Sequence, residues 1–207
     1  MLLCVSAAGD KFPPLIIGHA EKPRCFAANG ITSHDILPTL YRSNRSAWMT
    51  SEIFTEWLLN LNAQMESEDR QVLLIIDNAA CHPDIALSNV RLLFLPPRTT
   101  TDLQALDQGI INMVKRVARG MLLDFTLNNL EKGTSATEIA KMVTVLDAMT
   151  FIKEAFDQVA IETIRKCFSR TGINSHASDA WDDLPEVFID FEEILKNFPD
   201  KIRKEKK

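Results

Sequence analysis

The chain is predicted to be an α/β protein, a sheet flanked by helices with a helical C-terminal part, on three observations. Two apolar runs of strand length, residues 72–76 and 90–95 (the second broken only by Arg91), lie a short crossover apart, and such runs suit strands of a parallel sheet buried on both faces. One apolar stripe at helical spacing, Ile53, Phe54, Trp57, Leu58 and Leu61, comes just before them. From residue 107 to 170 the pattern is helical almost throughout, so helix, strand, crossover and strand are followed by more helix.

In chain order, residues 2–7 read as a strand, Gly9-Asp10 as a turn and Leu15-Ile16-Ile17 as a second strand. The pair predicts a hairpin with Pro13 and Pro14 in its loop. Residues 19–50 are polar and read as irregular. Thr50 or Ser51 caps the striped helix. The two buried-type strands follow, the second closed by Pro96-Pro97. The stretch 107–131 reads as a helix with Ile110, Ile111, Val114, Val117 and Ala118 on its inner side and Gly133 at its end. Ser135-Ala136-Thr137-Glu138 is a capping box that opens a new helix, and residues 136–170 read as two or three helices stopped by Gly172. From Ser178 the chain is acidic with scattered aromatics, Trp181, Phe188 and Phe191, and it closes on a short basic run. This composition predicts a loosely attached, flexible tail or docking segment. The expected division is residues 1–131 and 132–175 as two parts of one domain, with 176–207 as the tail.

A length of 207 residues allows one or two domains with a real core. No run is long and apolar enough to span a membrane, and the N-terminus lacks the basic region of a signal peptide. The four cysteines are far apart and form no CxxC pair, which argues against a zinc site and suits the reduced thiols of nucleus or cytosol. A net charge of −5 argues against strong nonspecific DNA binding by the chain as a whole. A local basic surface is left: Lys115, Arg116 and Arg119 share one predicted helix, and Arg98 lies in the loop before it. These also read as a solvated face.

Two carboxylates stand at the borders of apolar elements. Asp77 ends the run 72–76, at the strand edge where open α/β sheets bind ligands. Asn78 and His82 follow it and are placed to orient a metal-bound water or a phosphate. Alternatively, Asp77-Asn78 is a turn pair and nothing more. Asp107 opens the helix of residues 107–131, where an aspartate also serves as a plain cap. Together the pair is more informative: a rigid Pro-Pro turn between them can return the chain, and two carboxylates with several waters suit Mg²⁺. Gln108 reads either as a further hydrogen-bonding group near that site or as a residue that simply faces solvent. A nucleotide hydrolase is argued against by the absence of a GxxxxGK loop, a dinucleotide site by the absence of GxGxxG, and a serine hydrolase by the absence of GxSxG.

With these residues stated, the chain resembles the transposase domain of the pogo/Tigger/jerky group within the DDE superfamily, to which centromere protein B is related. The likeness runs through Gly9-Asp10-Lys11, Ile16-Ile17-Gly18, Lys22-Pro23-Arg24-Cys25-Phe26 and Trp57-Leu58. It continues through Leu74-Ile75-Ile76-Asp77-Asn78-Ala79 with His82-Pro83, then Phe94-Leu95-Pro96-Pro97-Arg98-Thr99-Thr100 and Leu106-Asp107-Gln108-Gly109-Ile110-Ile111. A last echo is Glu162-Thr163-Ile164-Arg165-Lys166-Cys167-Phe168 with Thr171-Gly172-Ile173. The resemblance implies an RNase-H-like mixed sheet flanked by helices, with three carboxylates around two Mg²⁺ ions. Asp77 would be the second and Asp107 the third, and their 30-residue spacing fits the pogo-like branch.

The family's first aspartate lies on a strand that the resemblance places just before residues 2–7, and neither Asp10 nor Asp35 stands in its context. The family's helix-turn-helix DNA-binding domains have no counterpart in these residues. The expectation is an RNase-H-like domain lacking its first, central strand, with two backbone edges left unpaired. The function expected is that of a truncated, catalytically inactive, DNA-binding nuclear protein, a homodimer by family analogy. Two alternatives accompany it: a fragment of an active Mg²⁺-dependent endonuclease or transposase, and a non-enzymatic nuclear interaction module that docks through its tail.

Overall fold

A computed structural model describes residues 1–172 apart from Arg98. Strand β1 (Leu2–Val5) pairs antiparallel with β2 (Lys11–Gly18). Their turn is tied by the Gly9 N–H to the Ser6 carbonyl at 3.0 Å and by the Asp10 N–H to the Ser6 hydroxyl at 2.9 Å. Gly9 has φ +105, and a Cβ there would meet the Ile161 side chain at 2.4 Å, so the position requires glycine on two grounds. Pro13 and Pro14 are not in the loop, as the sequence suggested, but inside β2. They are tolerated because the β1–β2 register shifts between Leu2 and Cys4, and because the second ladder of β2 starts only at Leu15.

Residues 19–50 are more ordered than their polarity suggested. They form α1 (Arg24–Ala28), a 3₁₀ turn (His34–Ile36) and β3 (Leu40–Ser43), which pairs parallel with Leu15 to Gly18 of β2. Tyr41 of β3 explains the order: it is 2% exposed, packs edge-on to Phe26, and donates its hydroxyl to the Ala20 carbonyl at 2.6 Å. One buried aromatic with a satisfied hydroxyl is enough to anchor a polar segment.

Helix α2 (Ser51–Ser67) starts at Thr50, whose hydroxyl accepts from the Ile53 N–H. Its expected stripe is buried, with Met65 continuing it. Strands β4 (Val72–Ile76) and β5 (Val90–Phe94) pair in parallel and in register. Asn62 of α2 holds the start of β5 by accepting from the N–H groups of Asn89 (2.8 Å) and Val90 (3.1 Å). The two strands are not buried on both faces: Val72 to Ile75 are each half-buried and Ile76 alone is fully covered in β4. The reason is topological. β4 and β5 form a two-stranded sheet apart from β1–β2–β3, although α2, β1, β2, β4 and β5 share one apolar core.

After Pro96 the Thr99 hydroxyl donates to the Pro96 carbonyl at 2.7 Å, and the chain enters α3 (Thr100–Leu103). Residues 107–110 were expected to open one long helix running to residue 131. They lie instead in a π turn (Leu106–Ile110) broken by Gly109 at φ +139, and α4 (Ile111–Glu131) begins after it. Gly133, at φ +83, ends that helix as expected. Helices α5 (Ala136–Met142), α6 (Val145–Asp157) and α7 (Ile161–Arg170) follow, and both α5 and α6 start with capping boxes. A second core joins Leu3 of β1 and Ile110 and Val114 of the α4 region to Phe156, Val159 and Ile164. The tail from Ser178, its basic end, Ile173 and Arg98 lie outside the described residues. No helix among the described residues is long and apolar enough to cross a membrane. Cys4, Cys25, Cys81 and Cys167 are all free thiols, and burial pushes the Cys4 thiol up to about 12.

Candidate metal and nucleic-acid site

Asp77 is the first residue after β4, so the ladder to β5 fixes its backbone. The Leu95 N–H donates to the Ile76 carbonyl at 2.8 Å and extends that ladder to the edge of the site. His82 reaches back across the loop: its Nδ1 lies 2.9 Å from the Asp77 carboxylate and 3.1 Å from the Asp77 carbonyl. With Nδ1–H as the donor, both oxygens accept from one ring nitrogen. The ring is stacked on Phe54 of α2, centroids 4.1 Å apart, so the apolar core of the helix sets the orientation of the histidine that holds the carboxylate. Asn78 is exposed beside them.

Asp107 lies in the π turn and is not a cap: neither that turn nor α4 receives a side-chain cap bond. The residue as a whole is exposed, yet atoms packed around its carboxyl desolvate it. Its pKa is raised, first by this desolvation and then by the negative charge of Asp77, while Lys115 opposes the shift. The structure therefore brings the two sequence-identified carboxylates within each other's field. Lys115 also bears on the Met1 ammonium, whose pKa is lowered by desolvation first and by that lysine second. The amino end of β1, Lys115 and the carboxylates thus share one neighbourhood. Gln108 is half-buried in the π turn, and its carbonyl accepts from Arg170 at 3.1 Å.

The donor set is of the right kind for a hard divalent cation, since carboxylate oxygens completed by water are what Mg²⁺ takes. It is short in number: among the described residues no group of three or more His, Cys, Asp or Glu forms a metal site. Of the expected basic residues, Lys115, Arg116 and Arg119 are exposed on α4, and Arg98 is not among the described residues. Sequence reasoning missed Lys166 and Arg170 of α7, which share a cavity with Arg116. The one signal for them was the density of cations in 165–170, a feature that a solvated helix face also has.

The chain matches the family model described as DDE superfamily endonuclease over residues 1–168. It is 33% identical over 167 residues to Tigger transposable element-derived protein 4 of Mus musculus, covering 80% of this chain and 31% of that protein. It is 30% identical over 175 residues to major centromere autoantigen B of Homo sapiens, covering 83% and 27% respectively. Against the human Jerky protein homolog the figures are 31% over 123 residues, 53% and 21%. The chain therefore spans less than a third of the length of each of these relatives. No solved structure gives a significant match.

Proposed function

The chain belongs to the DDE superfamily endonuclease family and is transposase-derived, and from that premise we propose that Asp77 and Asp107 are the second and third carboxylates of a metal-dependent site acting on DNA phosphodiesters. What supports the reading is the negative charge of Asp77 bearing on the Asp107 carboxyl, although the two residues lie on separate elements 30 positions apart. When bound, Mg²⁺ would supply the Lewis acid that activates a water or a 3′-hydroxyl and stabilises the leaving oxygen. The chain's own residues do the positioning. Asp77 is presented by β4 and His82, Asp107 by the π turn, and Lys115 partly offsets the paired negative charge between metal-binding events.

The same reading makes the 207 residues, on their own, catalytically inactive. What supports this is the donor set: among the described residues no group of three or more His, Cys, Asp or Glu could hold a metal ion, short of the three carboxylates that the family resemblance implies. The separation of β1–β2–β3 from β4–β5 within one shared core supports a strand position between β1 and β4. An RNase-H-like sheet completed there, and one domain over 1–175 with its two parts joined by the second core, complete the reading. DNA as the partner, the nucleus as the location and a homodimer belong to it by family likeness.

The test is nicking of supercoiled plasmid with Mg²⁺ or Mn²⁺. The 207-residue chain is expected to leave the plasmid intact. Nicking by the chain that Asp77→Asn and Asp107→Asn abolish would overturn the inactive reading and establish the alternative, a live endonuclease. Nicking that survives both substitutions would overturn the site assignment itself.

A further inference from the structure

The π turn that carries Asp107 also forms a wall of a second feature. A cavity of about 230 Å³ lies between the start of α4 and α7. Three cations line it, Arg116 from α4 and Lys166 and Arg170 from α7, with Asn112, Thr163 and the Gly109 backbone as uncharged polar neighbours. Among the described residues no carboxylate lines it. Among the same residues none of the three cations is in an ion pair, in a chain whose net charge is −5. Arg170 spends one N–H on the Gln108 carbonyl, and among the described residues the rest of its guanidinium has no partner. Arg165, one residue before Lys166, is turned away and donates to the Ala8 carbonyl at 3.0 Å, so the cations of α7 are sorted between structure and cavity.

Cys167, buried on α7, forms part of the cavity wall, and α7 packs against the π turn through the second core, which holds Ile110, Ile164 and Cys167 together. Gly109, at φ +139, lies close enough that a Cβ there would be 3.9 Å from the Cys167 sulfur.

We propose that this cavity is a phosphate subsite that takes one backbone phosphate of a nucleic-acid strand. The proposal rests on the reading of Asp77 and Asp107 above, because Gln108 and Gly109 of its wall belong to the same π turn as Asp107 and follow it directly in the chain. Three convergent cations without a carboxylate select a dianionic or monoanionic oxyanion such as phosphate. The extension of charge selects a linear polyanion over a free phosphate. Arg119 is three residues beyond Arg116 on the same face of α4 and carries positive charge away from the cavity along the helix, where a strand can follow it.

The test is fluorescence anisotropy of the 207-residue chain with a labelled oligonucleotide, single-stranded and duplex, in EDTA so that cleavage plays no part. Lys166→Gln/Arg170→Gln is expected to weaken binding about tenfold or more and to flatten the slope of log affinity against log salt by roughly 0.7 to 0.9 for each phosphate no longer neutralised. Lys132→Gln/Lys141→Gln, of the same charge change on the exposed end of α4 and on α5, is expected to leave affinity within a factor of two. Lys166→Gln alone keeps the test decisive if the Arg170 change, which removes the bond to Gln108, unfolds the chain. Equal losses in both double variants, or no loss in the first, would overturn the subsite. Direct binding of a labelled phosphopeptide that depends on Lys166, with no binding of either oligonucleotide, would overturn the assignment to nucleic acid. Oligonucleotide binding that depends on Lys166, together with a Tm that Mg²⁺ raises equally in the parent, Asp77→Asn and Asp107→Asn, would sink the metal-site reading and leave this one standing.

Discussion

His82 holds Asp77 at two oxygens while its own ring is stacked on Phe54, so a core aromatic of α2 determines how a carboxylate is presented at the surface. Asp107 has no such clamp, and its environment works against ionisation. Desolvation and the Asp77 charge raise its pKa, which means that the ionised carboxyl destabilises the fold relative to the unfolded chain. The sign follows: the penalty is in force at neutral pH and is relieved as pH falls through the raised pKa. In thermal melts without divalent metal, Asp107→Asn is therefore expected to be more stable than the parent at pH 7, with the advantage shrinking toward pH 4. Excess Mg²⁺ should raise the Tm of the parent more than that of the variant. An advantage that does not change with pH would contradict the environment described here. Both aspartates were legible in the sequence because each ends or opens an apolar element. Lys166 and Arg170 were not, because only the partner wall from α4 distinguishes a cavity-lining cation from a solvated one.

Elements follow the local pattern where local forces suffice. The stripe of α2 and the box at Ser135 and Glu138 formed as read, since a periodic apolar face and a reciprocal cap are each encoded within a few residues. The start of α6 uses the same device with aspartate in place of glutamate. Thr144 accepts from the Asp147 N–H at 3.2 Å, and the Asp147 carboxylate accepts from the Thr144 N–H at 2.8 Å. Thr144→Ala is expected to lower stability by about 1 kcal/mol in chemical denaturation, with Thr144→Ser close to the parent. An unchanged midpoint for the alanine variant would show that packing of Met149 and Phe156 alone sets this helix. Where non-local pairing decides, the local pattern misled. Pro13 and Pro14 belong to a strand because the neighbouring strands do not need their missing N–H groups, and β3 exists because Tyr41 finds a core.

At the scale of the molecule, the sheet is in two pieces over a common core, and among the described residues each piece ends in a strand with one unpaired edge. Hydrogen exchange reads this directly. Alternate amides of β4, those not bonded to β5, are expected to exchange far faster than their neighbours, and so are the outward amides of β1. Uniform protection along both strands would mean that the two sheets close on each other in solution. An added segment that slows exchange at β1 and β4 together would locate the strand position of the proposed sheet. The second core, built from β1, the α4 region, α6 and α7, ties the helical end to the sheet, so residues far apart in sequence share one cooperative unit.

By itself the sequence determined the family, the α/β class, the capped helices and the parallel pair β4 and β5. All of these rest on periodicity, caps or contiguous motifs, which are properties of neighbouring residues. Only the tertiary structure decided that β3 joins β2 and that His82 leans on Phe54. It also decided that the charge of Asp77 bears on Asp107, and that α4 and α7, distant in sequence, line a basic cavity. Those outcomes depend on distances across the core, which are set by how whole elements pack and which no local window of sequence contains.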